Sequence, residues 1–331
     1  MSLLTVTEKG LYCERGGFFI DPWGEVETAI LTHGHADHAR RGSGVYLVVR
    51  SSKELLRHRL GKDVKLTSLE YGEARKLGAT WVSLHPAGHV RGSAQVRVES
   101  GDEILVVSGD YKRALDPTCE PFEPVPCDTF ITEATFGLPI YRWKEGSEVA
   151  SEIFHWWKSG GDRTSILFCY TFGKTQRVLA ELARLTDRGV FLHGASHEIT
   201  EIYRTQGVRM LPTIPVSSVE KTFDFRGDLI IAPPSAHRSP WMKRFKNHRT
   251  AFASGWMQVR GTRRRRGYEH GFVLSDHADW PSLIRTVRES GASRVLVSHG
   301  HTETLARYVR EKLKIQADPL ITSFEGEGGL G

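Results

Sequence analysis

The run HGHADH at residues 33–38 limits the chain more than any other feature. Three histidines and an aspartate fall within six positions, with only glycine and alanine between them. The run follows the apolar stretch TAIL, so it begins at the end of an extended segment. Two histidines one residue apart point to the same side of a strand, so His33 and His35 can hold one ion. Asp37 and His38 come where the chain turns, and they can serve a second ion. The small spacers Gly34 and Ala36 let the backbone crowd the metal.

Short apolar runs ending in polar or glycine-rich loops fill the first half of the chain. GGFFIDPW, TAILTHGH, GVYLVV, TWVSLHPAGH, AQVRVES, DEILVVSGD and DTFITEATFG all read as strands. Asp21, His33 to His38, Asp110 and Glu133 then lie at strand ends, where a rigid sheet carries a site. His89 in HPAGHVRGSA and His299 in VLVSHGH occupy similar settings. His85 and His301 are near neighbours of these, and spacing alone does not choose between them. A carboxylate such as Asp110 can bridge two cations.

From about residue 145 the rhythm changes to helix alternating with strand. SEVASEIFHWWKSGG reads as a helix, SILFCYTF as a strand, GKTQRVLAELARLTDRG as a helix, VFLHG as a strand and SHEITEIYRTQG as a helix. That alternation predicts a parallel, Rossmann-like insert. The earlier character returns near residue 271 with GFVLSDHADW and RVLVSHGH. One domain interrupted by another is the expected organisation.

Basic charge is concentrated. Residues 229–268 contain no Asp or Glu but ten Lys or Arg, against a net charge of +6 for all 331 residues, so the remainder is net acidic. The ten include Arg238, Arg260 and the run Arg263, Arg264, Arg265 and Arg266. Trp241, Phe245, Phe252, Trp256 and Tyr268 interleave with them and can stack on bases. A basic segment just before His277 suits docking of a phosphate backbone, with a solvated loop as the plain alternative. In APPSAHRSP the backbone can approach a terminal phosphate, which makes Ser235, His237 and Arg238 candidate contacts. The four cysteines are scattered and make no C-x-x-C pair, as in a reducing compartment. MSLLTVTEKG has no signal-peptide pattern and no apolar run approaches the ~20 residues of a membrane span, so a cytoplasmic location is expected.

Taken in order, LTHGHADH, PAGHVRGS, SGD and TEATFG resemble the motifs of metallo-β-lactamase-fold hydrolases. TEATFG, followed by an insert and then by SDHAD and VSHGH, resembles the nucleic-acid-cutting branch called β-CASP. That branch includes Artemis, the ribonucleases J and the endonuclease of the cleavage and polyadenylation specificity factor. The resemblance covers essentially the whole chain. GWMQVRGTRRRRGYEHGFVLSDHADW is most similar to the bacterial DNA ligase-associated exonucleases.

The resemblance implies an α/β fold, a metallo-β-lactamase αββα sandwich interrupted by a Rossmann-like β-CASP insert. Residues 1–138 and 272–331 would form the sandwich and residues 139–271 the insert. Two divalent cations are implied, zinc before manganese or iron, about 3.5–4 Å apart. His33, His35, His89 and Asp110 would hold the first; Asp37, His38, Asp110 and His299 would hold the second. Asp21 would orient the histidine loop from behind the ligands. Asp37, Glu133 and His277 would form the catalytic set, with Glu133 holding His277 and His277 protonating the leaving 3′-oxygen.

The implied activity is exonucleolytic hydrolysis of DNA phosphodiester bonds in repair; the direction is not written in the sequence, and the resemblance to Artemis-type nucleases leans toward 5′-to-3′. The substrate would be single-stranded DNA or DNA with a free end, in functional association with a DNA ligase and a helicase. An RNA-processing exo- or endoribonuclease is the alternative. His299 is of the type found in RNA-processing members, where eukaryotic DNA-processing members usually carry valine. A nucleic-acid binder with a structural metal site is the third reading. Glu133 and His277 argue against it, because a closed structural site does not need them.

Overall fold

The computed structural model describes residues 3–259, 261 and 267–321. It divides the chain into two units. One takes Met1–Arg113, Cys119–Arg142 and His277–Gly331; the other takes Ala114–Thr118 and Trp143–Asp276.

The first unit is built on two sheets. The smaller one runs in sequence order through β1 (Thr5–Thr7), β2 (Gly10–Cys13), β3 (Phe18–Ile20), β4 (Thr28–Ile30), β5 (Val45–Val49) and β6 (Leu66–Leu69). From β3 to β6 its strands are parallel. The larger sheet contains β7 (Ala74–Leu77), β8 (Thr80–Pro86), β9 (Ala94–Ser100), β10 (Glu103–Val107), β11 (Thr129–Ala134), β18 (Arg294–Gly300) and β19 (Gln316–Pro319). Its order is β19-β18-β11-β10-β9-β8-β7, parallel from β19 to β10 and antiparallel beyond.

Alternation along the strands makes the layers. Ile30, Leu47 and Val49 pack with Val82, Val96, Leu105 and Val107 in the core between the sheets. Their neighbours Ala29, Tyr46 and Val48 face the other way, onto Leu56 and Leu60 of α1 (Lys53–Leu60). Burial on both faces is why VYLVV is continuously apolar instead of alternating. On the far side of the larger sheet, Val106, Phe130, Val295 and Val297 meet α5 (Trp280–Glu289) and α6 (Thr302–Tyr308). Helix α5 buries Trp280, Leu283, Ile284 and Val287, one helical stripe. Asp279 caps it by accepting the Ser282 N–H at 3.0 Å. The layers are therefore helix, sheet, sheet, helix, a metallo-β-lactamase-like α/β fold.

The second unit is a six-stranded parallel sheet in the order β14-β13-β15-β12-β16-β17. Its strands are β12 (Thr164–Phe168), β13 (Val190–Leu192), β14 (Thr213–Pro215), β15 (Leu229–Ala232), β16 (His248–Ala253) and β17 (His270–Phe272). Helices α2 (Gly146–Lys158), α3 (Lys174–Leu182) and α4 (Gly194–Thr205) belong to it. Every residue of α3 is buried. Ile166, Phe168, Ile230, Ala232 and Phe252 form the centre of its apolar core. Among the described residues, no helix is long and apolar enough to cross a membrane.

Candidate metal centre

Apart from His277, which precedes α5, the chemistry-bearing side chains of the first unit stand at or just beyond the C-terminal ends of its strands. β3 leads to Asp21, β4 to the loop of His33 to His38, β8 to His89 and β10 to Asp110; β11 contains Glu133 and β18 contains His299. The β4 loop keeps one more strand-like bond, Leu31 N–H to Leu47 O at 3.1 Å. It then closes a turn in which His38 and Ala39 N–H both donate to His35 O, at 3.2 and 2.8 Å. Gly109, at φ 55°, is needed here because a Cβ would lie 2.6 Å from that of Thr32. Gly88, at φ 70°, lets the His89 loop approach within 2.4 Å of Lys112 O at the Cβ position.

The side chains converge on one oxygen. Asp110 Oδ2 lies 3.5 Å from His33 Nε2, 3.5 Å from His38 Nε2, 3.8 Å from His89 Nε2 and 4.0 Å from His277 Nδ1. His35 Nδ1 is 3.1 Å from both His33 Nε2 and His89 Nε2. Ligands around a tetrahedral ion with bonds of about 2.0–2.1 Å sit about 3.3 Å apart, so the spacing of His33, His35, His89 and Asp110 fits such an ion. All four ligand atoms lie within 4.8 Å of one another, and so do those of Asp110, Glu133 and His277.

The set Asp37, His38, Asp110 and His299 closes less tightly. His38 Nε2 is 3.7 Å from Asp37 Oδ2 and 3.5 Å from Asp110 Oδ2. The His299 ring stacks on His38 at 5.6 Å, while its Nδ1 meets Ser298 Oγ at 3.0 Å. Asp21, Asp37, His38 and His299 line a cavity of about 40 Å³ with Trp23 and Ile131 among its apolar walls. That is more than the ~10–15 Å³ one water needs, so an ion has room there.

The surroundings set the protonation states. Burial, then the neighbouring His38, push His33 well below the ordinary imidazole range, which leaves it neutral as a ligand must be. Burial also works against a charge on His38, but Asp110, Asp21 and Asp37 outweigh it and hold that imidazole well above its usual value. Burial resists ionisation of Asp110, yet His38 and His277 hold its carboxyl well below the usual range.

Asp21 stands behind this set. It accepts Thr32 N–H at 2.8 Å and His38 Nδ1 at 2.7 Å, which turns His38 Nε2 toward Asp110. Among the described residues only Asp21, Arg238, His299 and Lys314 are non-glycine positions at positive φ. Such backbones cost roughly 1–3 kcal/mol and gather at functional sites. Three of the four are positions singled out from sequence. Glu133 is equally tied down. Its Oε1 accepts Tyr111 N–H at 2.8 Å, its Oε2 accepts Thr135 Oγ1 at 2.6 Å, and His277 Nδ1 sits 2.9 Å from Oε2. Thr32, Tyr111, Thr135 and Ser298 were not among the expected site residues. Thr32, Tyr111 and Ser298 adjoin candidate ligands and Thr135 lies two residues from Glu133, which was their signal in sequence. His85 is turned to Ser83 Oγ at 3.0 Å, and His301 stacks on Tyr141.

The second unit holds the other candidates. Ser235 lies in a turn over Pro234–Ala236, and the His237 ring stacks on Tyr268 at 4.1 Å. The Arg238 guanidinium packs on Gly267, where a Cβ would be 1.9 Å from it. Arg260, Arg263, Arg264, Arg265 and Arg266 lie outside the described residues. Two of the interleaved aromatics are not base-stacking platforms: Phe245 and Phe252 are buried in the apolar core. Nor are all the arginines available to phosphate. Arg249 donates to Ser165 Oγ, Ser159 Oγ and Trp157 O and lies 4.4 Å over Trp156. Arg244 donates to the carbonyls of Val216, Val219 and Glu220 at 2.8, 2.9 and 2.7 Å.

No protein-family model matches the chain. A protein of Opitutus terrae named "Probable DNA ligase" is 32% identical over 92% of this chain and 30% of its own length. A ribonuclease of Thermus thermophilus is 32% identical over 38% of this chain and 35% of its own. The matches thus span about a third of the length of these curated relatives. Among solved structures, an Enterococcus faecalis protein of unknown function superposes with a TM-score of 0.62 at 11% identity, covering 88% of this chain and 78% of the other.

Proposed function

We propose, from the premise that the chain belongs to the β-CASP branch of the metallo-β-lactamase-fold nucleases, that it is a metal-dependent exonuclease hydrolysing DNA phosphodiester bonds in repair. The observation that carries this reading is the single carboxylate oxygen of Asp110 set 3.5–4.0 Å from four imidazoles, one of them held by a second buried carboxylate. The unit bearing that cluster is the metallo-β-lactamase domain, and the unit of six parallel strands is the β-CASP insert.

His33, His35, His89 and Asp110 would hold one divalent cation, and Asp37, His38, Asp110 and His299 a second. Nitrogen and oxygen donors at these spacings suit zinc. When bound, the two ions supply charge neutralisation at phosphorus and a water acidic enough to act near neutral pH. Asp21 holds His38 in register. Glu133 takes Nδ1 of His277, which makes Nε2 the nitrogen that carries a proton to the leaving 3′-oxygen. That proton is needed because an alkoxide is a poor leaving group; the transfer is worth roughly 10²–10⁴-fold. Ser235, His237, Arg238 and the arginines from Arg260 to Arg266 would dock the phosphate backbone.

DNA is preferred because the relative named for a DNA ligase matches nearly the whole chain, whereas the ribonuclease matches about a third of it. The similarity to a relative named for a DNA ligase supports an association with such an enzyme; a helicase partner, a cytoplasmic location and digestion from the 5′ end are further parts of the same proposal. RNA is the second reading, favoured by His299 and by the ribonuclease similarity. The test offers end-labelled single-stranded DNA and RNA of matched sequence to the protein with zinc or manganese. DNA cleavage is expected; RNA-only cleavage promotes the second reading, and cleavage of neither overturns both.

A further inference from the structure

We propose that Lys174 and Arg177, in the first turn of α3, are positioning residues for His277. They fix Asp276, and through the Asp276–His277 peptide bond they set where the imidazole stands. The inference rests on the reading of His277 as the proton donor.

Four charged side chains of the second unit are buried together. Lys174 Nζ lies 2.8 Å from Asp276 Oδ2, and Arg177 Nη1 lies 3.6 Å from Asp276 Oδ1. Arg177 Nη1 also donates to Ser275 O at 2.6 Å, and its Nε is 3.5 Å from Asp116 Oδ2. None of the four side chains is more than 5% exposed. Taking such charges out of water is costly, and apolar residues of equal volume would stabilise the fold at least as well. The cluster is thus weak evidence for a stabilising role, and what its contacts do fix is the position of Ser275 and Asp276.

The holding residues are themselves held. Gly173, at φ 85°, turns the chain into α3, and its N–H donates to Gln176 Oε1 at 2.8 Å. Gln176 Nε2 in turn donates to Thr171 O and Thr200 Oγ1. On the other side of His277, Ala278 N–H donates to Tyr111 O at 2.6 Å, and Asp279 caps α5. Glu133 grips the ring at Nδ1. The residue before His277 is thus anchored within its own unit, and loosening it frees the backbone that carries the ring. A misplacement of about 1 Å is worth about 10²-fold in a reaction that depends on aligned proton transfer.

Lys174→Met should lower kcat by about 10²-fold, with KM and bound metal unchanged. In a His277→Ala background the same change should add nothing, since the effect runs through the imidazole. The double variant Lys174→Met/Asp276→Asn leaves no lone charge on that pair, so it should fold and still lose kcat. Lys174→Arg, which can keep the pair, should restore most of it. Full kcat in the folded double variant overturns the proposal, as does an undiminished loss from Lys174→Met on top of His277→Ala. If the double variant does not fold, Asp276→Glu carries the test, keeping both charges while moving the backbone by a methylene; wild-type kcat there overturns the proposal too. If the wild type cuts neither DNA nor RNA, the functional reading falls and imidazole NMR of the zinc-loaded protein decides this one. Asp276→Asn should then move the His277 Nδ1 and Nε2 resonances, and unmoved resonances reject a positioning role.

Discussion

The loop after β4 and the basic stretch at residues 229–268 both stand out in the sequence by residue type, yet they behave differently in the fold. In the loop, His33, His35 and His38 reach within 3.1–3.5 Å of one another's partners or of Asp110. In the basic stretch, Arg244 and Arg249 are used on carbonyls and hydroxyls, and Phe245 and Phe252 are core. The loop is short and begins as strand, so side-chain direction follows from the backbone and spacing translates into geometry. The described part of the basic stretch mixes turn and strand and carries no such rule. A guanidinium has five donors on a long stem and finds buried carbonyls as readily as solvent or phosphate.

The contrast can be broken experimentally, beginning where the effect is largest. Asp110→Asn takes the negative charge from the carboxylate common to both proposed ligand sets. Metal content should fall from two equivalents toward none, and cleavage by about 10³-fold or more; retained metal by elemental analysis would show that Asp110 is not shared. His277→Ala should lower kcat by about 10²–10⁴-fold while both metals stay bound. Loss of metal instead would make His277 a ligand, as its nearness to Asp110 and Glu133 also allows. Asp21→Asn should weaken metal affinity by about 10–100-fold, measured by competition with a chelating dye. The smallest effects separate two kinds of arginine. Replacing Arg263 to Arg266 with alanine should weaken DNA binding and flatten the slope of log K against log salt by about 0.7 per lost contact. Arg249→Ala should leave that slope alone and lower Tm, for a cost of about 1–3 kcal/mol; a flattened slope for Arg249→Ala would erase the distinction.

Much of the site was legible because its residues fall at ends of apolar runs. TAIL, DEILVV and VLVS are strands, and a strand end presents its next residues at a sheet edge. Asp21 was legible from the residues as a strand-end carboxylate and from the resemblance as a prop for the histidine loop; that it grips both Thr32 and His38 depends on β3 pairing with β4, Asp21 N–H donating to Ile30 O at 2.9 Å. His89 against His85, and His299 against His301, could not be separated by spacing. Gly88 and Gly109 bring the His89 and Asp110 loops in, while His85 stays on β8 turned to Ser83. Nothing in the run GKTQR signals that Lys174 and Arg177 are buried against Asp276, about a hundred residues away.

By itself, then, the sequence determined the candidate ligand types, their local spacing and the alternation of strands with helices, because these follow from backbone periodicity over a few residues. Only the tertiary structure decided which histidines share Asp110, which arginines are tied down, and what anchors His277. Those outcomes depend on residues far apart in the chain meeting in a medium where a buried polar group without a partner is costly.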